Sequence, residues 1–251
     1  MTAPGLAGRV ALITGSSRGI GRAIALAFAA EGCSVVVNYR RSREEAEAVA
    51  REIEVGGPGR CMVFRADVSR EEEAAALVEA AAARFGRLDI LVNNAAIAGR
   101  REFLDITPAD WQDMIASDLT SVFLCSRAAL PHMLRAGWGR IINIASTSGM
   151  TGGTSGAHYA AAKGGVISLT RSMGREFASR GVTVNAIVPS KIETGMLDAS
   201  FEDSAQKEAA RKKMPVGRFG TPGEIAALAV FLASEPAGYI TGETIVASGG
   251  Y

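Results

Sequence analysis

The chain has 251 residues, 27 lysines and arginines against 26 aspartates and glutamates, and 48% apolar residues, for a net charge of +1. That length suits one α/β domain with a well-buried core, and a charge near zero gives no electrostatic case for a nucleic-acid partner. No basic segment followed by an apolar core opens the chain, and no apolar run reaches bilayer length, so neither a signal peptide nor a membrane span is expected.

The run Arg9-Val-Ala-Leu-Ile-Thr14 reads as a buried parallel strand. Gly15, Gly19 and Gly21 follow, with Ile20, Ala23, Ile24, Ala27 and Phe28 at helical spacing. Strand, glycine turn and helix make the first half of a βαβ unit. The free N–H groups and positive dipole end of such a helix suit a pyrophosphate, and absent side chains let the backbone approach it. The spacing is Gly-x-x-x-Gly-x-Gly, which is neither a P-loop nor the Gly-x-Gly-x-x-Gly fingerprint, and a plain structural turn is the alternative.

The second strand, Cys33 to Asn38, ends where a dinucleotide fold reads the ribose. An NAD enzyme would carry an acid there; this chain has Tyr39, then Arg40 and Arg41. Arginines at a helix start oppose the macrodipole unless an anion offsets them. A 2′-phosphate would be that anion, and Arg18 could reach the same point. NADP(H) is therefore favoured over NAD(H), with a solvated basic patch as the bland alternative. Ser42-Arg-Glu-Glu45 reads as a capping box for the next helix, and Gly56-Gly57-Pro58-Gly59 as a loop.

Strand-like runs continue at Arg60–Ala66, Ile90–Val92, Arg140–Ala145 and Val182–Val188. Helical patterns lie between them at Glu71–Phe85 and Pro108–Leu134, the latter with an N-cap at Thr107, and Thr221-Pro-Gly-Glu224 caps a final helix. The alternation implies a doubly wound parallel sheet covered by helices on both faces, as a single domain over residues 1–251. Ligands of such sheets bind outside the strand C-terminal ends, where Gly15, Asn93, Ser146 and Pro189 fall. Cys33, Cys61 and Cys125 read as buried small hydrophobes in a reducing compartment. His132 and His158 lack metal-ligand spacing, so no metal is expected; His158 reads as an incidental residue at a helix start.

Tyr159-Ala-Ala-Ala-Lys163 places a phenol and an ammonium one helical turn apart, with Ser146 thirteen positions upstream of Tyr159. A free phenol, with a pKa of about 10, is a poor acid or base near neutrality, and a nearby cation brings it closer to use. A serine hydroxyl opposite could hydrogen-bond a carbonyl oxygen. Alone, the pattern also describes an ordinary helical pair with a snorkelling lysine.

Taken in order, the glycine run, Asn93-Asn-Ala-Ala96, Ser146 and Tyr159-x-x-x-Lys163 resemble the classical short-chain dehydrogenase/reductase family, over nearly the whole chain from Gly8 to Gly250. The style is that of ketoreductases of the 3-oxoacyl-carrier-protein reductase and glucose dehydrogenase type. The resemblance implies a Rossmann-like fold and a cytoplasmic oxidoreductase moving hydride between a nicotinamide and a ketone or secondary alcohol. An NAD-dependent sugar or alcohol dehydrogenase and a non-catalytic dinucleotide-binding regulator are the alternatives. Tyr159 would transfer the proton, Ser146 would position the carbonyl, and Lys163 would bind the nicotinamide ribose and tune Tyr159. The turn residues Gly15, Ser17, Arg18, Gly19, Ile20 and Gly21 would take the cofactor with Tyr39, Arg40 and Arg41. Asp67 and Val68 match the pair that holds the adenine, Asn93 matches the residue that stabilises the central sheet and lies near the adenine ribose, and Ala95 is implied to bind the cofactor as well. Pro189, Ile192 and Thr194 match the segment that closes on the carboxamide. A substrate lid is implied at about 190–214. A homotetramer is implied too, built on Pro108–Leu134 and Ala157–Ser179, with Ala160, Ala161, Ala162, Gly164 and Gly165 permitting close packing.

Four positions depart from the family pattern. Asp118 stands for the usual Asn that holds a water of the proton relay. Should its carboxylate approach Lys163, it would offset the ammonium, raise the tyrosine pKa and shift activity to alkaline pH. Ser190 and Ala96 replace glycines, and Ser248 replaces an Asp or Asn. Carrier-protein reductases use basic residues beside the cleft; Arg180 is the candidate here, whereas Gly137 offers no side chain.

Overall fold

The computed structural model describes residues 5–56, 60–201 and 203–250; Gly57, Pro58 and Gly59 of the expected loop lie outside them. Seven parallel strands form one sheet in the order β3-β2-β1-β4-β5-β6-β7. They are β1 (Val10–Ile13), β2 (Ser34–Tyr39), β3 (Cys61–Arg65), β4 (Ile90–Asn93), β5 (Gly139–Ile144), β6 (Val182–Pro189) and β7 (Thr244–Ala247). The sequence indicates the first six. The edge strand β7 escapes it because its four half-exposed residues lack the long apolar run of a central strand.

Successive side chains of a strand point to opposite faces, and β1 divides its residues that way. Ala11 and Ile13 join Ile24 and Phe28 of helix α1 (Gly19–Ala30) and Ile225 and Leu232 of α10 (Pro222–Ala233). Val10 and Leu12 face Leu77 and Val78 of α3 (Glu71–Phe85) and Cys125 and Met133 of α5 (Ser121–Ala136). Helix α2 (Arg43–Gly56) covers the first face and α7 (Ala157–Phe177) the second, so two apolar layers enclose the sheet.

The caps differ from one another. Thr107 forms the full reciprocal box with Asp110 at the start of α4 (Pro108–Ile115), and Thr221 does so with Glu224 at α10. The box expected over Ser42–Glu45 is not made. Helix α2 does open at Arg43, but the Ala46 amide donates to the Ser42 carbonyl and Arg43 turns to Glu47 at 2.7 Å.

The stretch expected as one helix over Pro108–Leu134 is interrupted. Between α4 and α5 the chain makes a π turn over Ala116–Thr120, with Asp118 at its middle. Such insertions gather at functional sites because they re-aim a side chain without ending the helix. The segment expected as a lid holds two short helices, α8 (Gly195–Asp198) and α9 (Ser204–Lys212), with Phe201 stacked on Phe219 at 6.2 Å.

The small residues of α7 are engaged within the chain. A Cβ at Gly165 would lie 2.6 Å from Leu119 Cδ2, and one at Gly164 would lie 3.1 Å from the Gly149 carbonyl. Gly149 itself, in the short helix α6 (Ser148–Thr151), packs backbone to backbone on α7. Gly164 and Gly165 thus make close approaches within the chain, while Ala161 is exposed.

Opposite the strand C-terminal ends, Trp138 is sandwiched between guanidinium groups, Arg9 at 3.8 Å and Arg140 at 4.2 Å, and donates to Glu235 at 2.8 Å. Arg180 closes a 3-10 turn between α7 and β6, which places it at this end of the sheet. Helix α7 has 21 residues, about 31 Å at 1.5 Å per residue, and its first turn carries Tyr159. Arg180 is thus not beside the cleft of its own chain, contrary to the sequence expectation.

Candidate active site

The site is built at the C-terminal ends of β1, β4, β5 and β6. The glycine turn follows β1 directly. Gly15 and Gly19 take φ of +60° and +57°, where a side chain is strained. A Cβ at Gly15 would stand 2.9 Å from Ala95 Cα, and one at Gly21 would stand 2.4 Å from Asn94 Nδ2. Absent side chains thus let β1, the turn and the segment after β4 close together. Arg18 takes the N-cap position of α1 without a side-chain cap bond, and no acid occupies the first turn, so the dipole of this end is not offset.

A scaffold the sequence did not reveal holds this turn in place. Asn38, the last polar residue before Tyr39 in β2, is 1% exposed. Its Oδ1 accepts from the Gly15 amide at 3.0 Å, and its Nδ2 donates to the Ala66 carbonyl at 3.2 Å. Ser16 answers from the turn: its Oγ donates to the Ile13 carbonyl at 2.8 Å and accepts from the Asn38 amide at 3.1 Å. Asn94 does the same from β4, donating through Nδ2 to the carbonyls of Thr14 at 2.9 Å and Gly15 at 3.0 Å. Polar residues closing apolar strands were the available signal.

Beyond β2, Tyr39 is buried against the apolar layer, while Arg40 and Arg41 are exposed. A cleft of about 210 Å³ opens beside them, lined by Arg40, Arg41, Arg65, Asp67, Arg70 and Glu73. Arg40 lies 3.4 Å from Asp67 Oδ2, and Ser69 donates to Asp67 Oδ1 from both its amide and its hydroxyl. Burial works to raise the Asp67 pKa, but the Ser69 donors and the Arg40 cation prevail and hold it below the usual aspartate value. Val68 is buried alongside. Among the described residues Arg18, Arg41 and Arg65 have no ion-pair partner at this end of the sheet, and Arg65 donates instead to the Arg40 carbonyl at 3.2 Å.

Asn93 turns inward, donating to Asn143 Oδ1 at 2.8 Å and to Ser126 Oγ at 3.1 Å, so its side chain ties β4 to β5 and α5. Ser146 follows β5 and accepts from the Ser148 amide at 3.2 Å through Oγ. Pro189 ends β6 and accepts from the Thr147 amide at 3.1 Å, joining the Ser146 segment to the end of β6. Ile192 sends its side chain into the core and bridges Gly220. Thr194 comes back to the glycine turn: its Cγ2 lies 3.5 Å from where a Gly19 Cβ would be.

Tyr159, half-buried in the first turn of α7, has its ring centroid 5.7 Å from Lys163 Nζ. Lys163 is buried, donates to the Ile144 carbonyl at 3.2 Å, and faces Asp118 Oδ2 at 3.3 Å. The Asp118 contact is an ion pair and not a well-aligned hydrogen bond, since Oδ2 accepts none of good geometry. Burial alone would push the Lys163 pKa down, but the Asp118 carboxylate and the Tyr159 oxygen outweigh it and hold the ammonium above the ordinary lysine value. The Asp118 carboxylate thus does approach the lysine, the case in which it offsets the ammonium. Beside Tyr159, His158 is buried with Nδ1 unpartnered, close to Gly156 and the Arg101 carbonyl.

The chemistry available is therefore a phenol beside a buried ammonium, a serine hydroxyl at the same sheet end, and a glycine turn near arginines without ion-pair partners. No group of three or more metal-ligating side chains occurs among the described residues. Burial pushes the thiols of Cys33, Cys61 and Cys125 up to about 12, so they do not act as nucleophiles.

A family profile described as enoyl-(acyl carrier protein) reductase matches residues 15–251. The 3-oxoacyl-[acyl-carrier-protein] reductase FabG of Staphylococcus aureus is 45% identical over 240 residues, covering 96% of each chain. The 3-oxoacyl-[acyl-carrier-protein] reductase of Synechocystis sp. is 45% identical over 246 residues, 98% of this chain and 97% of that one. Among solved structures, a putative short-chain alcohol dehydrogenase from Sinorhizobium meliloti superposes with a TM-score of 0.93 at 38% identity, covering 99% of this chain and 98% of its own. A dehydrogenase/reductase from the same organism gives 0.92 at 35% identity, covering 99% and 97%.

Proposed function

Because this chain belongs to the short-chain dehydrogenase/reductase family, whose members are oxidoreductases acting on CH–OH and C=O groups, we propose that it is an NADP(H)-dependent ketoreductase. The observation that carries the reading is Lys163, a buried ammonium 5.7 Å from the Tyr159 ring at the sheet end where Ser146 stands. In this reading Ser146 holds the substrate oxygen, and Tyr159 delivers its proton to that oxygen on reduction or removes it on oxidation. Lys163 stabilises the phenolate left behind and keeps a free N–H for a sugar hydroxyl. NADP(H), when bound, supplies or takes up the hydride.

The residues present fit that group. The Gly15–Gly21 turn leaves backbone N–H groups for a pyrophosphate. Exposed Arg18 and Arg41, with the arginine-lined cleft, suit a 2′-phosphate. Two descriptions among the relatives name different reactions, reduction of a C=C bond and of a 3-oxo group. The hydroxyl of Ser146 together with the phenol of Tyr159 favours a carbonyl oxygen as the reacting atom, and a 3-oxoacyl thioester is the substrate class to try first. A homotetramer accords with exposed apolar side chains on α4 and α5 (Trp111, Phe123) and on α10 and β7 (Phe231, Val246). No described helix is long and apolar enough to cross a membrane, and three unpaired thiols accord with a cytoplasmic location.

The test is turnover of NADPH and NADH against acetoacetyl thioesters, cyclic ketones and sugars. Activity with NADPH that Tyr159→Phe lowers by a factor of about 10²–10⁴ supports the reading. NADPH binding without turnover on any substrate would make the protein a sensor, and a preference for NADH would overturn the cofactor assignment.

A further inference from the structure

Three elements meet at the Asp118 carboxylate, and each oxygen has its own task. Oδ1 accepts the Ile97 amide at 2.9 Å, which fastens the segment after β4. Oδ2 faces the Lys163 ammonium from α7 at 3.3 Å, while that ammonium donates to the Ile144 carbonyl of β5 at 3.2 Å. Asp118 is fully buried and sits at the centre of the π turn, whose extra residue directs it at both partners. We infer that Asp118 is a positioning residue that locks the catalytic cation and the segment after β4 into one unit before any cofactor arrives.

The physical case rests on what an amide at this place could not do. An asparagine could still accept from Ile97 through its oxygen. Its remaining group would be an NH₂ aimed at an ammonium, donor against donor. A buried lysine without a counter-charge tends to shed its proton. The ionisable groups set against Lys163 are Asp118 on the π turn and Tyr159 on its own helix; β5 contributes only the Ile144 carbonyl. Among the described residues Asp118 is thus the only carboxylate set against Lys163. The two oxygens make the cation and the loop interdependent, since moving Ile97 moves the carboxylate off the lysine.

The consequence for turnover rests on the ketoreductase reading: a carboxylate on the ammonium partly offsets the charge that Tyr159 faces, so the pH–rate profile lies on the alkaline side of that of a variant without it. The lock itself does not depend on that reading and is tested on cofactor-free protein. Amide hydrogen exchange at Ile97 should quicken at least tenfold in Asp118→Ala and stay within about threefold of wild type in Asp118→Asn. In ¹³C-lysine-labelled protein, the Lys163 titration midpoint should fall by one unit or more in Asp118→Asn. The pH–rate profile of that variant should move in the acid direction. Unchanged Ile97 exchange in Asp118→Ala, or an unchanged Lys163 midpoint in Asp118→Asn, overturns the inference. Should either variant fail to fold, wild type alone decides: a Lys163 midpoint below the ordinary 10.5 refutes the lock. A protein inactive on every ketone would sink the functional reading and leave these measurements intact.

Discussion

Replacing Asn38 by Ala should weaken the fold and the cofactor cradle together. The side chain makes two well-formed buried bonds, from the Gly15 amide at 3.0 Å and to the Ala66 carbonyl at 3.2 Å. Two longer contacts, to the carbonyls of Tyr39 and Phe64, stand at 3.4 Å each. Counting about 1 kcal/mol for each good bond and about 1–2 kcal/mol for leaving the Gly15 N–H and the Ala66 C=O stranded, the loss is roughly 3–4 kcal/mol. For a chain of this size each kcal/mol moves Tm by about 2–4 °C, so a fall of about 6–16 °C is expected by calorimetry. The bonds from the Ser16 amide to the Asn38 carbonyl and from the Asn38 amide to Ser16 Oγ survive the change, so the protein should fold. With its amide untethered, Gly15 would no longer be held in place, and NADPH affinity, read by fluorescence titration, should drop tenfold or more. Asn38→Asp separates the two roles, since it keeps the acceptor for Gly15 and loses the donor to Ala66. A Tm within 2 °C of wild type in Asn38→Ala, with unaltered NADPH affinity, would refute the claim that Asn38 holds the turn.

Gly21→Ala should be among the most damaging conservative changes, because its Cβ would meet Asn94 Nδ2 at 2.4 Å and the Gly15 carbonyl at 2.7 Å. Gly223→Ala, whose nearest neighbour is Thr221 Oγ1 at 3.9 Å, should be neutral or slightly stabilising; equal Tm values for the two variants would count against the packing argument. The Lys163–Asp118 pair carries a defined pH signature. The folded-state pKa of Lys163 lies above its ordinary 10.5, so the pair's contribution is complete below that value and is lost as pH climbs through the folded one. The stability gap between wild type and a Lys163→Met/Asp118→Asn double variant, from denaturant melts at pH 8 and pH 11.5, should therefore close at the higher pH. A gap that widens would contradict the sign.

Much of this architecture could be read from residue order. Apolar runs gave six strands, and the glycines after β1 marked the tight turn that the structure contains. The charge of Arg40 and Arg41 at the end of β2 pointed to the cleft the structure contains. What escaped was decided by register and by three-dimensional pairing. Asn38 looked like a strand terminus, because nothing local shows that its amide spans β1, β2 and β3. The π turn left the apolar periodicity of Pro108–Leu134 nearly intact, since one inserted residue shifts a pattern of 3.6 by less than a turn. Arg180 was judged by its charge, whereas helix length decides which end of the sheet it occupies. Ser42 fits a capping pattern, yet the Arg43–Glu47 pair and a backbone bond serve that helix start.

The π turn also bears on how this enzyme tolerates change in length. Excising any one residue from Ala116–Thr120 would let the backbone rewind as a regular α-helix, at little cost to its own hydrogen bonding. Because the π turn absorbs its extra residue within one widened turn, the helices on either side would keep nearly the same phase. The apolar stripe of α5 would stay on the sheet, while Asp118, at the middle of the turn, would be re-aimed off the lysine. A one-residue deletion here would therefore cost the Asp118 contact and spare the packing of the helix.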